Sequence, residues 1–165
     1  MGLELEEYFR INPSAKVTGI DLAPRILRAL DGKFADKDIT LICGSYFDVP
    51  FGEGFDAAVL VESLHHFTKE EKNPAVLQAA KCTEGGRILH SDGLFSLSDQ
   101  EKQLHRAELL RLKAEQGIAG NEFYHNDTPM TVEHEIEALL ATGFSSMEVL
   151  DHWGPTCTLR AKWKN

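Results

Sequence analysis

Four short stretches carry side chains able to bind or react. Val17 to Asp21 is an apolar run that ends in an acid and leads into Leu22-Ala23-Pro24. A carboxylate at the end of such a run can accept hydrogen bonds from both hydroxyls of a ribose. Gly44-Ser45-Tyr46-Phe47-Asp48 follows a second apolar run, Ile39 to Cys43, and Glu62-Ser63-Leu64-His65-His66-Phe67 follows a third, Phe55 to Val61. A histidine after that third run takes a proton near neutral pH when geometry sets it against a substrate, and His66 is the candidate base. The fourth stretch, Glu122-Phe123-Tyr124-His125-Asn126-Asp127-Thr128, puts aromatic and ionisable groups on a long polar loop, a composition that favours binding. Tyr124 and His125 are its candidate substrate contacts, and His125 joins His66 as a candidate catalytic residue.

These stretches need elements to hold them. Leu5, Tyr8 and Phe9 have helical spacing, and Asn12-Pro13 ends that helix. The run to Asp21 is a strand; Pro24 then opens a helix with Ile26, Leu27, Leu30 and Phe34 on one face. Two more strands, Ile39 to Cys43 and Phe55 to Val61, are separated by turn material at Pro50, Gly52 and Gly54. Thr68 and Glu71 form a capping-box pattern, Asn73-Pro74 opens the helix carrying Val76, Leu77 and Ala80, and Gly85-Gly86 closes it. Arg87 to Ser91 is a fourth strand. Ser98 with Glu101 caps a longer helix that is expected to turn Leu104, Leu109, Leu110 and Leu112 inward and to stop at Gly117 and Gly120. A loop from Asn121 to Met130 precedes a helix capped by Thr131 and stopped by Gly143. Ser145 to Trp153 and Thr156 to Trp163 then form a hairpin about Gly154-Pro155, with Trp153 expected in its packing. Alternating strands and helices followed by a hairpin predict an α/β domain: a mostly parallel sheet covered on both faces, with an antiparallel edge.

Bulk properties narrow the partners. The chain has 165 residues, 42% of them hydrophobic, which suits one core and a single domain spanning residues 1–165. A net charge of −9 argues against a nucleic-acid partner, because phosphate contacts need clustered Lys and Arg. No apolar run is long enough to span a bilayer and the start is acidic, so no membrane role is expected and a cytoplasmic location is the default. Cys43, Cys82 and Cys157 lack CxxC spacing, and the seven histidines include no HExxH. Neither a disulfide framework nor a metal site is expected.

Taken in order, the segments around Asp21, Ser45, Glu62 and Gly85-Gly86, with Gly143-Phe144 before the hairpin, resemble the class I S-adenosylmethionine-dependent methyltransferases. The resemblance runs from Gly2 to the terminal hairpin. It implies a doubly wound, Rossmann-like sheet, with S-adenosylmethionine as cofactor and direct displacement of its methyl group by a small-molecule acceptor. By the same resemblance Asp21 holds the cofactor ribose, Leu22 packs beside the adenine, Ser45 and Tyr46 read the adenine edge, and Glu62 and Ser63 line the methionine end. Many relatives carry Asp where this chain has Ser45, which replaces a charge-assisted contact by a neutral one. The family also expects an apolar first strand and a GxGxG turn before the first helix. Only Gly2 stands as a remnant of that turn, so the resemblance implies a domain truncated at its N-terminus with the first strand missing. A homodimer through the sheet edges thereby exposed is the expected compensation. Two other readings stay open: a methyltransferase-like scaffold that does not catalyse, and a nicotinamide dehydrogenase fragment, against which the terminal hairpin argues.

Overall fold

Leu27, Leu30 and Phe34 recur at helical spacing after Pro24, and the helix they predict packs its apolar side against Phe9 and Ala15. The computed structural model describes residues 2–119, 122 and 124–163. Gly120, Asn121 and Phe123, expected at a helix stop and in a loop, lie outside the described residues. Contacts divide the chain into two units, residues 1–51 and 52–165.

The first unit contains α1 (Leu3–Ile11), β1 (Lys16–Asp21), α2 (Pro24–Lys33) and β2 (Asp38–Cys43). β1 and β2 are parallel, in register from Lys16 opposite Asp38 to Asp21 opposite Cys43. The amide of Gly44 donates to the carbonyl of Asp21 at 3.0 Å, so both strands end level and deliver Leu22 and Ser45 at the same edge. Phe9, Ala15 and Phe34 are buried together, the two rings 5.4 Å apart. No residue of β1 or β2 is itself fully buried.

The second unit contains β3 (Ala58–Val61), α3 (Lys69–Cys82), β4 (Arg87–Asp92), α4 (Asp99–Gln116), α5 (Val132–Ala141), β5 (Phe144–Trp153) and β6 (Thr156–Trp163). Its sheet has the order β3-β4-β6-β5; β3 and β4 are parallel, and β6 runs antiparallel to both β4 and β5. Phe95, Val132, Cys157 and Leu159 form a buried cluster beneath this sheet's hairpin. Gly86 has a φ of 61°, and a Cβ there would stand 1.9 Å from that of Trp163, so only glycine lets the end of β6 close over the start of β4.

The local signals hold. Glu71 accepts from the amide of Thr68 at 2.8 Å, Ser98 from that of Glu101 at 3.2 Å, and Thr131 from that of His134 at 3.3 Å. Four expectations need correction. The third strand begins at Ala58, with Phe55 making only an isolated bridge to Thr83. Pro74 lies inside α3 and does not open it, because the cap at Thr68 has already started the helix; the proline forgoes one main-chain bond. Leu104 and Leu110 are exposed, and Lys113 is the one buried residue of α4. Trp153 is 81% exposed at the tip of the hairpin, where it ends β5, an outermost strand of the sheet, opposite Thr156. Among the described residues, the hydrogen-bonded strands fall into the β1-β2 pair and the four-stranded set, consistent with the expected α/β class.

Candidate functional site

In the first unit, the candidate residues gather where β1 and β2 end. Oδ1 of Asp21 accepts from the amide of Ala23 at 2.7 Å, which fixes the carboxylate beside the start of α2. Leu22 is 67% exposed next to it, an apolar side chain with no cover of its own. The hydroxyl of Ser45 accepts from the amide of Phe47 at 3.1 Å and so shapes its own turn, while the ring of Tyr46 lies 4.8 Å from that of Phe47. Gly2 caps α1 with a φ of 63°, and a Cβ there would stand 2.5 Å from Leu30, so the helix start is held close to α2.

The second unit holds a cluster of ionisable side chains. Glu62 leaves β3 with a φ of 47°, the left-handed region, unusual for a residue with a Cβ and of a kind that clusters at functional sites. Its amide donates to the carbonyl of Ser91 at 3.0 Å, which ties the ends of β3 and β4 together. Burial is the main influence raising the Glu62 carboxyl above its ordinary range, with the charge of Asp92 adding to it. Ser63, which follows, is part of the short passage leading to the buried Leu64 and His65.

His65 and Asp92 form a buried pair, Nδ1 to Oδ1 2.8 Å. Burial pushes Asp92 up, but the hydrogen bond and charge of His65 outweigh it and hold the carboxyl below the usual range. An ionised Asp92 only accepts, so Nδ1 of His65 carries the hydrogen and the neutral ring keeps its lone pair on Nε2. For His65 itself burial acts downward, and it is outweighed by Asp92, Asp127 and Glu62, which leave the imidazole above its ordinary value.

His65 Nε2 lies 3.6 Å from Oδ1 of Asp127, and the same oxygen is 3.0 Å from Nδ1 of His66. His66 is held below the ordinary histidine value, first by burial and then by the neighbouring charges of His65 and His125. The ring of His125 is 4.3 Å from that of His66 and exposed to solvent. Tyr124 is tied elsewhere, its hydroxyl accepting from Gln116 at 2.7 Å. The fold therefore brings His65, His66, His125, Asp92 and Asp127 together, whereas Tyr124 faces the end of α4.

Behind the pair lies a second buried set. Lys72 donates to Oε2 of Glu135 at 2.6 Å, and Nε2 of His90 is 3.8 Å from the other oxygen of Glu135. His90 Nδ1, Asp92 Oδ2 and Glu135 Oε1 are buried without a hydrogen-bond partner among the described residues. The residues bearing them line a cavity of about 10 Å³, whose size and polarity suit a single bridging water. Asp92, Asp127 and the Lys72–Glu135 pair were not anticipated from sequence. Asp92 could have been, as a second acid closing an apolar run.

The model of a family described as methyltransferase domain matches residues 1–86. The chain belongs to that family. An uncharacterized methyltransferase of Staphylococcus carnosus (strain TM300) is 27% identical over 99 residues, 59% of this chain and 43% of its own length. Among solved structures, a candidate O-methyltransferase of Nostoc punctiforme PCC 73102 superposes with a TM-score of 0.72 at 18% identity, covering 98% of this chain and 49% of the other. Human N-acetylserotonin methyltransferase in complex with SAM gives a TM-score of 0.68 at 19% identity, covering 98% of this chain and 44% of the other. The family member described here thus spans about half the length of these relatives. Its fold is the Rossmann-like α/β fold of the class I methyltransferases, with β5 and β6 as the antiparallel hairpin. None of the described helices is long and apolar enough to cross a membrane.

Proposed function

We propose that the protein transfers a methyl group from S-adenosylmethionine to a hydroxyl of a small-molecule acceptor, with His65 as general base and Asp92 as the residue that orients it. The buried His65–Asp92 pair at the carboxyl ends of β3 and β4 supports this reading most directly. Bound S-adenosylmethionine supplies an activated methyl group on a positively charged sulfur. Asp21 would accept from the ribose hydroxyls, Leu22 would pack against the adenine, and Ser45 and Tyr46 would meet the adenine edge. Gly2, Glu62 and Ser63 would serve the methionine end. The exposure of Leu22 and the left-handed turn at Glu62 fit such roles. Asp92 fixes the His65 tautomer with Nε2 outward, so that the imidazole takes the acceptor proton. His66 and His125 then form the wall against which the acceptor lies, with Tyr124 at the loop's entry.

An oxygen acceptor is favoured because solved neighbours include O-methyltransferases and because a hydroxyl gains from a base. Net charge of −9 supports a small molecule over nucleic acid. β1 and β3 each pair on one side only among the described residues, which supports a homodimer through those edges; a monomer by light scattering would count against it. Calorimetry with S-adenosylhomocysteine tests the cofactor reading: micromolar binding is expected, lost in Asp21→Ala, with NAD binding weakly or not at all. A folded chain that ignores S-adenosylhomocysteine would leave the scaffold reading in its place.

A further inference from the structure

The cluster around Asp127 has a geometry that an acid–base role does not use. His65, His66 and Asp127 can each offer one ligand atom, and these atoms lie within 4.8 Å of one another. Two of the separations are 3.6 and 3.0 Å. A tetrahedral ion with bonds of about 2.0 to 2.1 Å sets its ligand atoms roughly 3.3 to 3.4 Å apart, between those two values.

The supporting contacts have the pattern found behind metal-bound imidazoles. His65 presents Nε2 because Nδ1 is bonded to the buried carboxylate of Asp92 at 2.8 Å, and a carboxylate behind the distal nitrogen orients a histidine ligand and raises its basicity. His66 Nδ1 is buried and has no hydrogen bond of adequate geometry among the described residues, although Asp127 is close. In the neutral His65, the lone pair of Nε2 and the oxygen of Asp127 are two acceptors facing each other, an arrangement that either a proton on Nε2 or a metal cation between them resolves. The loop bearing Asp127 is fixed in place, since the amide of Thr128 donates to the carbonyl of His65 at 2.7 Å. The exposed His125 stands at the open side.

We infer that His65, His66 and Asp127 form a binding site for a late first-row divalent cation such as Zn²⁺, with a fourth position open to solvent or to the acceptor. Two imidazoles and one carboxylate are a donor set that suits Zn²⁺ and its neighbours over Mg²⁺ or Ca²⁺, which prefer all-oxygen shells. The sequence shows no metal motif because Asp127 reaches the histidines from a distant loop. An ion here occupies the lone pair of His65, so bound metal and proton abstraction exclude one another; this consequence rests on His65 being the base.

The test is a titration of Zn²⁺ alone into the full chain carrying Cys43→Ser, which removes the exposed thiol, followed by calorimetry and by competition with a chromophoric chelator. One ion per chain is expected. Asp127→Asn and His66→Ala should each weaken binding at least tenfold, and Asp92→Asn about 10- to 100-fold. Asp127 is half exposed, so its variant retains the fold, and circular dichroism checks this for all three. A chain that binds S-adenosylhomocysteine but takes up no Zn²⁺, or takes it up unchanged in Asp127→Asn, overturns the metal site and leaves the methyltransferase reading standing. Zn²⁺ uptake that depends on these residues, without S-adenosylhomocysteine binding, does the reverse.

Discussion

Thr128 donates twice to the carbonyl of His65, from its amide at 2.7 Å and from its hydroxyl at 3.3 Å. This pair of contacts decides where Asp127 stands relative to both histidines, and the main-chain bond is the stronger of the two. Thr128→Val keeps the amide and removes only the longer bond, so unfolding by urea should show a loss of about 0.5 to 1.5 kcal/mol. Thr128→Pro removes the amide donor and should cost more, because a carbonyl is then left unpaired. Equal losses in the two variants would mean that the loop is held by something else.

Asp92→Asn keeps the shape of the His65–Asp92 pair but replaces a carboxylate that only accepts by an amide that can also donate, so the hydrogen is no longer fixed on Nδ1. Turnover under saturating S-adenosylmethionine should fall about 10²- to 10⁴-fold, the range for a general base, with His65→Ala in the same range. KM for S-adenosylmethionine should change little. A variant with unaltered turnover would show that the acceptor needs no base.

Lys72 and Glu135 are both almost fully buried and bonded to each other at 2.6 Å. Lys72→Met or Glu135→Gln strands the remaining partner, and each should destabilise by about 3 to 5 kcal/mol. The double variant should recover most of that loss, since replacing both charges removes the desolvation cost as well. Additive losses in the double variant would show that the two side chains act separately.

His90 is lowered below its ordinary value, by burial first and by Lys72, against the opposing charges of Glu135 and Asp92. As pH falls below about 6.5 the unfolded chain takes up a proton there that the folded chain refuses. His90 therefore contributes stability that is present above that pH and lost as pH falls toward its folded-state value. His65 is raised and acts in the opposite sense, its contribution present below about 6.5 and lost as pH rises through its folded-state value. Comparing urea midpoints of the wild type and His90→Gln from pH 8 to pH 5 removes the His65 contribution. The wild type should lose more than the variant across that window, and parallel profiles would contradict the assignment.

Much of this architecture was readable because its signals are local. A cap such as Thr131 bonds an amide three residues away, and a strand-end acid such as Asp21 folds onto the amide of Ala23, so neither needs the rest of the chain. The outward turn of Leu104 and Leu110 was not readable, because an apolar spacing shows which side chains share a face and not whether that face meets a neighbour. Glu135 stands in line with Val132, Ile136 and Leu139, an acid on an otherwise apolar stripe of α5. That anomaly marks a buried charge, yet only the fold reveals Lys72 as its partner. His65 and His66 are adjacent, and the one that turns inward toward Asp92 is set by the end of β4, which sequence cannot weigh between neighbours.

The chain's two tryptophans occupy opposite environments. Trp163 sits against Phe144, ring centroids 5.1 Å apart, with its backbone closed over Gly86, while Trp153 projects 81% exposed from the hairpin tip. The emission of Trp163 should lie to the blue of that of Trp153, and quenching by iodide should reach Trp153 first. One fluorescence spectrum therefore carries both a signal for the seating of β6 and its own internal reference, without any label being attached.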